Sequence, residues 1–394
     1  MALRLDFNVK THKCAGEVAV RLLHTAVKHL FRPAMSFIGK LLRIKLSAIP
    51  HLLSGTVDAI RILRGFRLRN DQSFVLIDIK EYFLSGSHDV LVTACKPYLP
   101  DHLRQSGSKM LAFLLESQIV YDRWNDLHYH VVKGSGMGMP MAGEVSDASF
   151  HGICEIPMLA LGDRFGISLY MRFKDDILLA CDTNKVDRLV TAFRRYAVPF
   201  VLKLEGVHRE SFQHLDLEIK IVEGHVSLSS ATKNSNLSQP LSSTSAHKLS
   251  IHNAWPLAQL DRIARNSSTK QIMIDSISKY IVWFSSHDPS HMAIPVMRAR
   301  LLCLVPGVPC PSVPHVAPIF THSSTLVMPY TSGVYGCGIR KLCNKHNIRI
   351  AWTLGGAHLF SKVKAASKHA EAEIVSTATD VFYSRSGEQR RTED

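Results

Sequence analysis

The sequence lacks an apolar run of the roughly 18–20 residues that a membrane-spanning helix needs. It also lacks any C-x-x-C pair, because its eight cysteines are scattered along the chain. Neither a zinc ribbon nor a disulfide scaffold is therefore predicted, and a reducing compartment suits these thiols best. We expect a folded protein that does not cross a membrane.

Acidic residues are scarce relative to basic ones. The chain has 33 Asp and Glu against 47 Lys and Arg, a net charge of +14. Residues 1–70 alone hold 13 basic residues against three acidic ones. Such a surplus favours a polyanionic partner, nucleic acid first and an anionic membrane second. A basic, solvated surface without a partner is the alternative, and charge alone does not choose between them.

Hydrophobic patterning places two aspartates at the tip of a hairpin. Residues 73–79 (SFVLIDI) form a β-branched apolar run typical of a buried strand, and 143–162 show helical spacing. Residues 169–173 (LYMRF) alternate, and 177–181 (ILLAC) follow the pair Asp175-Asp176 at once. This pattern predicts a strand, a tight turn and a second strand.

Further elements follow from the same reasoning. Helices are predicted over 17–31, over 182–197 with Asp182 or Thr183 as the cap, and over 256–287; alternation over 215–222, the turn 223–224 and the run 225–229 predict a second hairpin. The serine-rich segment 227–247 indicates a mobile connection or an exposed edge, and the proline-rich segment 305–318 excludes regular structure. The order strand, helix, hairpin, helix, strand over 73–222 predicts an antiparallel sheet with helices on one face. The fold class is therefore α+β.

A strand-end aspartate and a hairpin-tip aspartate on neighbouring strands can share divalent cations. Asp78 ends the strand 73–79, and Asp175 and Asp176 occupy the hairpin tip. Closely spaced carboxylates are tolerated when metal charge neutralises them. An isolated Asp-Asp pair is usually a solvated turn. The flanking strands and the partner Asp78 favour a metal site instead.

Three segments carry a family resemblance. They are Asp78 with Phe83 five residues later, the loop 134–140 (GSGMGMP), and the run Phe173-Lys174-Asp175-Asp176. Together they resemble the palm of reverse transcriptases, most closely the Penelope-like retroelement enzymes. The segments FRPAMSFIG upstream and SFQHLDLEI downstream are similar to parts of those enzymes, and the resemblance spans roughly residues 30–360.

The resemblance implies a polymerase right-hand fold with an antiparallel palm sheet, reduced fingers and a helical thumb. It implies partial fingers, basic and helical, over 1–72; a palm over 73–230; a thumb and C-terminal extension over 231–383; and a disordered tail over 384–394. Only 77 residues precede Asp78, so the fingers would be short.

The resemblance also implies roles for individual residues. Asp78, Asp175 and Asp176 would be catalytic and would bind metal. Phe83 would exclude a ribose 2′-hydroxyl, and Arg32, Gly138 and Lys203 would contact the incoming nucleotide, with Lys203 a candidate for protonating pyrophosphate and Lys220 a competitor for that role. Primer and template would contact Gly134, Met137, Pro140, Phe212 and Leu215. Lys174 is an unusual neighbour for metal-binding carboxylates, and we expect it to pair with Asp175 or Asp176 when metal is absent.

The function implied is an RNA-directed DNA polymerase of a retrotransposon, a nucleotidyltransferase that uses two Mg²⁺ ions, or Mn²⁺. Its partners would be an RNA template, a DNA primer and dNTPs, with no membrane, and the nucleus would be the expected location, with the cytoplasm as the alternative. A truncated, inactive copy that binds nucleic acid is the runner-up. A nuclease that holds two metal ions with the same kind of carboxylate site is a third alternative.

Overall fold

The computed structural model describes residues 2–9, 20–231, 243, 245, 247–304, 324–329, 348–353 and 383–385. The chain divides into two compact units: the first comprises 1–215, 220–226 and 373–394, and the second comprises 216–219 and 227–372. Among the described residues, no helix combines the length and the hydropathy that a bilayer crossing requires.

Strands and helices alternate irregularly along the first unit. In chain order they are β1 (Leu3–Val9), β2 (Val20–Thr25), α1 (Arg32–Leu46), α2 (Thr56–Leu63), β3 (Gln72–Lys80), α3 (His88–Cys95), α4 (Arg104–Glu116), β4 (Ile119–Asp122), β5 (Leu127–Val131), α5 (Ala142–Phe150), α6 (Ile156–Leu159), α7 (Gly162–Phe165), β6 (Leu169–Phe173), β7 (Asp176–Asp182), α8 (Val186–Ala197), β8 (Val201–His208) and β9 (Ser211–His214). A π-helical turn, His151–Glu155, joins α5 to α6.

The remaining elements are β10 (Leu217–Val222), β11 (His225–Ser230), α9 (Leu249–Asn266), α10 (Lys270–His287), α11 (Ala293–Leu304), β12 (Ser324–Pro329), β13 (Ile348–Thr353) and β14 (Tyr383–Arg385). Strands β9, β10 and β11 form a three-stranded sheet. In the second unit, α9, α10 and α11 bury an apolar core that includes Leu260, Phe284 and Met297. The second hairpin is confirmed. The segment 256–287 is helical as predicted, but it is divided between α9 and α10, which are separated by residues 267–269.

The central sheet of the first unit has the order β6-β7-β3-β8, and every pair in it is antiparallel. Residues Val75, Ile77 and Ile79 of β3 belong to a core that also contains Leu189 and Phe193 of α8. The helices therefore cover one face of the sheet, as the sequence predicts for an α+β fold. Phe74, Leu76 and Asp78 alternate with these residues and so lie on the other face, called the acidic face below.

The N-terminal segment differs from its prediction. The helix predicted over 17–31 is wrong where the structure describes it, because Val20–Thr25 form β2, which pairs antiparallel with β1. Strand β1 also pairs parallel with β4. Val20, Leu22 and His24 alternate, so the run satisfies a strand as well as a helix, and pairing with distant strands decides between them.

Two smaller expectations also need correction or fall outside the description. Helix α8 begins after Lys185 without a side-chain cap, whereas Asp182 accepts hydrogen bonds from Lys185 (2.6 Å) and Arg69 (3.0 Å). The tail predicted to be disordered from residue 384 contributes Ser384 and Arg385 to β14, which pairs with β5. Residues 386–394, the proline-rich segment 305–318 and most of the serine-rich segment lie outside the described residues.

Candidate active site

Asp78, Asp175 and Asp176 lie together at one end of the central sheet. Asp78 in β3 stands directly opposite Asp176 in β7, and Asp175 is the second residue of the two-residue turn between β6 and β7. The backbone N–H of Ile79 donates to the carbonyl oxygen of Asp175 at 2.9 Å, which fastens the turn to β3. Residues directly opposite in an antiparallel pair share a face, with Cβ atoms about 4.5–5.5 Å apart. The sheet therefore places Asp78 and Asp176 on the same face, with Asp175 in the adjoining turn.

The row of opposite residues continues across all four strands. Phe173 in β6 faces Asp176, and Lys203 in β8 faces Asp78. Lys203 therefore stands on the acidic face beside Asp78. Its side chain is 53% exposed, and its Nζ lies 3.5 Å from Glu205 Oε1. This register places a cation next to the carboxylates, as the predicted role of Lys203 requires, but it does not test that role.

The tip of the hairpin is held by charged side chains from β6 and α5. Lys174 has a positive φ of 55°, a left-handed conformation that costs a non-glycine residue about 1–2 kcal/mol. Arg172 Nη1 donates to the Lys174 carbonyl oxygen at 2.9 Å. Lys174 Nζ forms a hydrogen-bonded ion pair with Asp147 Oδ2. The expected pairing of Lys174 with Asp175 or Asp176 is therefore wrong: the ammonium is bound by α5.

A buried ionic network that the sequence pattern does not predict lies next to this tip. The Arg172 side chain is fully buried on the helix-covered face and binds Glu155 through Nε (2.7 Å) and Nη2 (3.1 Å). Its Nη1 donates to Asp147 Oδ1 (2.9 Å) and to the Tyr82 hydroxyl (2.8 Å). Burial alone would raise the pKa of Glu155, but Arg172 and His51 more than offset it and hold that pKa well below its usual range. The sequence signal is weak: the helical run 143–162 has three acidic residues, Glu144, Asp147 and Glu155, and Arg172 alternates with apolar residues of a strand.

Tyr82 connects this network to the end of β3. Its hydroxyl donates to Asp147 Oδ1 at 2.7 Å. Burial raises the Tyr82 pKa well above its usual value, and the neighbouring Asp147 adds to this effect, so the hydroxyl stays protonated as a donor. Tyr82 and Phe83 share a short 3₁₀ turn, and their rings meet edge to face with centroids 5.1 Å apart.

The structure also brings the glycine-rich loop against Phe83. The backbone N–H groups of Ser135 (2.8 Å) and Gly136 (3.1 Å) donate to the Phe83 carbonyl oxygen. Gly134 has a φ of 82°, and a Cβ there would lie 2.5 Å from Leu84 Cα. The loop and the turn that carries Phe83 therefore pack backbone to backbone, which only glycine permits at position 134.

Strand β2 supports the other side of the same loop. The His24 backbone N–H donates to the Met137 carbonyl oxygen at 2.6 Å, and a Cβ on Gly138 would meet the His24 carbonyl oxygen at 3.1 Å. Gly138 is exposed, and Met137 and Pro140 are half-buried. Burial lowers the pKa of His24 to about 4, and the neighbouring Gln118 side chain offsets part of that effect.

Three further predicted residues have no contact with the carboxylates among the contacts that the structure shows. Arg32 is exposed at the start of α1, and its Nη1 lies 3.5 Å from the Ala26 carbonyl oxygen. Phe212 is 7% exposed and packs against Phe74, with ring centroids 5.1 Å apart, so its ring supports the hairpin. Leu215 adopts a φ of 55° in the turn between β9 and β10. Nucleotide and primer contacts by these residues stay predictions.

The donor set of the three aspartates fits a hard divalent cation. Carboxylate oxygens are the ligands that Mg²⁺ and Mn²⁺ prefer, and adjacent carboxylates on one sheet face can share such ions. Among the described residues, the three side chains whose possible ligand atoms all lie within 4.8 Å of one another are those of His51, His151 and Glu155. Both oxygens of Glu155 already accept from Arg172, so this cluster belongs to the buried ionic network.

No protein-family model and no curated protein matches the sequence. Solved structures that are similar include a telomerase from Candida albicans with a telomeric RNA fragment (11% identity, TM-score 0.43) and an RNA-dependent RNA polymerase of a human picobirnavirus (13%, 0.47). The RNA-dependent RNA polymerase of BmCPV is another (11%, 0.45). The matches cover 77%, 78% and 72% of this chain, but only 61%, 59% and 26% of those chains. The chain thus spans less than two thirds of each protein, and identities and scores this low say nothing about its activity.

Proposed function

We propose that this protein is a metal-dependent nucleic-acid polymerase, specifically an RNA-directed DNA polymerase that extends a primer 3′-hydroxyl with dNTPs. The observation that carries the proposal is the cross-strand row Phe173, Asp176, Asp78 and Lys203, with Asp175 in the adjoining turn. A solvated Asp-Asp turn needs no third carboxylate on the neighbouring strand. Here the third carboxylate is present, and the Phe83 turn and the glycine-rich loop are hydrogen-bonded to each other beside it.

Asp78, Asp175 and Asp176 would hold the divalent cations. When bound, such cations activate the attacking hydroxyl and stabilise the departing pyrophosphate. Phe83 would press against the sugar of the incoming nucleotide and exclude a 2′-hydroxyl. Lys203, opposite Asp78, would hold a proton at Nζ for the pyrophosphate. The resemblance to Penelope-like reverse transcriptases supports a DNA product and a retroelement role.

The test is primer extension on an RNA template, with Mg²⁺ and either dNTPs or rNTPs, for the wild type and for Asp175→Asn. Asn keeps the size of the side chain and removes the charge that holds a cation. We expect the wild type to extend with dNTPs, to use rNTPs poorly, and to lose extension in the variant without losing binding to an RNA–DNA hybrid. Asp182→Asn is the control, since Asp182 ends the same strand at its other end.

Each other outcome has a distinct meaning. Equal extension by Asp175→Asn would overturn the assignment of the site. Preferential use of rNTPs would replace the DNA product with RNA. Hybrid binding without extension in both proteins would support the inactive, binding-only alternative.

A further inference from the structure

One carboxylate of α5 contacts both segments that carry the proposed metal ligands. Asp147 Oδ1 accepts from the Tyr82 hydroxyl (2.7 Å) and from Arg172 Nη1 (2.9 Å), while Oδ2 pairs with Lys174. Tyr82 follows Asp78 by four residues, and Lys174 immediately precedes Asp175. The Asp147 side chain is only 5% exposed, so these bonds form where water competes little.

The path of the Lys174 side chain is defined by α5. A Cβ on Gly143 would lie 3.0 Å from Lys174 Nζ, so the lysine passes over a helix position that has no side chain. It reaches Asp147 one turn further along the same helix. The left-handed backbone of Lys174 is therefore fixed at two points: its carbonyl oxygen by Arg172 and its ammonium by Asp147.

The neighbouring residue of α5 makes a parallel set of bonds. Ser146 Oγ lies 2.9 Å from Ser135 Oγ and 3.4 Å from the Tyr82 carbonyl oxygen. Ser135 Oγ lies 3.3 Å from the Phe83 carbonyl oxygen. Consecutive residues of one helix thus hold the glycine-rich loop, the Phe83 turn and the hairpin tip.

We infer that Asp147 is a positioning residue of the active site, with Lys174 as its ionic partner, and that the pair fixes the hairpin carboxylates relative to Asp78 and Phe83. This inference rests on the proposed function and adds residues to it that touch neither substrate nor metal. Lys174 then has a specific use: bound to Asp147, it holds the turn and keeps its own charge away from the metal carboxylates.

The sign of one measurement separates positioning from simple electrostatics. A lysine that only added positive charge beside the carboxylates would, when replaced by methionine, increase their affinity for a cation. A lysine that positions them would decrease it. Outer-shell partners of metal ligands typically contribute about 10–100-fold to metal affinity or activity. We therefore expect Lys174→Met to weaken Mn²⁺ binding by about tenfold or more.

The experiment titrates Mn²⁺ into the full chain by electron paramagnetic resonance and measures dNTP and rNTP extension in parallel. The variants are Lys174→Met, Asp147→Asn, the double variant, and Lys174→Arg, which keeps the cation. Asp175→Asn is titrated beside them to show whether Mn²⁺ binding depends on the proposed site. Lys185→Met is the matched control. The Lys185 side chain is about as exposed as that of Lys174 (34% against 32%), and it also pairs with an aspartate, Asp182, but at the opposite end of β7. Circular dichroism checks that each variant is folded.

We expect Lys174→Met and Asp147→Asn each to weaken Mn²⁺ binding and dNTP discrimination, the double variant to be no worse than either, and Lys174→Arg to recover most of the loss. Lys185→Met should match the wild type. Multiplying losses in the double variant, or a Lys174→Met protein with equal or tighter Mn²⁺ binding, would overturn the inference while leaving the polymerase proposal intact. If the wild type bound Mn²⁺ through Asp175 but did not extend a primer, the proposed polymerase activity would be overturned instead. The Mn²⁺ affinities of the variants would then decide the inference by themselves. Absence of Asp175-dependent binding would overturn both.

Discussion

At the scale of single residues, the site depends on backbone conformations that its side chains must maintain. Lys174 holds a left-handed conformation at the hairpin tip, and its neighbours Arg172 and Asp147 hold it there. Gly134 meets a comparable demand without any side chain. Both positions have a positive φ, but for different reasons. Lys174 also supplies a charge that pairs with Asp147, whereas Gly134 lets two backbone segments pack closely.

Replacing Gly134 with alanine should destabilise the first unit. A Cβ at φ 82° would lie 2.5 Å from Leu84 Cα and 2.7 Å from the Phe83 carbonyl oxygen, both of which are backbone atoms. Left-handed strain and the clash together should cost about 2 kcal/mol or more. Thermal unfolding of Gly134→Ala should therefore show a clearly lower Tm. Gly65→Ala is the control, since a Cβ at Gly65 meets nothing within 4 Å, and equal melting of the two variants would contradict the prediction.

At the scale of elements, hydrophobic periodicity predicts a strand or helix correctly where the pairing with distant strands favours the same element. Alternation in 169–173 and the apolar run 73–79 predict β6 and β3, and the order of elements predicts an antiparallel sheet. The same periodicity could not separate strand from helix in Val20–Thr25, where the partner strand begins at Leu3. The partners in the ionic network cannot be predicted in the same way. The pattern of a strand can indicate that a charge such as Arg172 is buried, but it cannot show which acidic residue pairs with it.

Strand β2 supports the glycine-rich loop, and its buried His24 makes that support sensitive to pH. The pKa of His24 is about 4, below its usual 6.5, because burial disfavours the charged form. The unfolded chain therefore takes up the proton first. His24 contributes its full stabilisation above about pH 6.5 and loses it as the pH falls toward 4, at most about 3 kcal/mol.

Chemical denaturation between pH 7 and pH 4.5 measures this effect. The free energy of unfolding should fall with pH in the wild type and fall less steeply in His24→Gln, which cannot titrate. Part of the slope will remain, since burial also lowers the pKa of His88 to about 4. His102→Gln, at an exposed position, should keep the wild-type slope. If the free energy of unfolding depended on pH equally steeply in His24→Gln, His24 would not be a source of the pH dependence.

At the scale of the whole molecule, charge is the property that sequence established most directly. The net charge of +14, with 13 basic residues in the first 70, favours binding to phosphate backbones. The structure shows on which side of the central sheet some of these basic residues lie. Phe66 packs on Phe74 of the acidic face, with ring centroids 5.6 Å apart. The segment around Phe66, which carries the exposed Arg64 and Arg67, therefore lies on the side of that face. The exposed Arg188 and Arg195 lie on α8, which covers the opposite face.

Binding to an RNA–DNA hybrid should therefore weaken steeply with salt, and the two arginine pairs should differ. Each phosphate contact contributes about 0.9 to the slope of log affinity against log salt for duplex DNA, and we expect a similar contribution for a hybrid. The double variant Arg64→Gln and Arg67→Gln should lower the affinity at low salt and reduce the slope by about two. The double variant Arg188→Gln and Arg195→Gln removes the same charge and should leave the slope unchanged. Fluorescence anisotropy across a salt series measures both, and equal losses from the two pairs would mean that net charge, rather than the acidic face, determines binding.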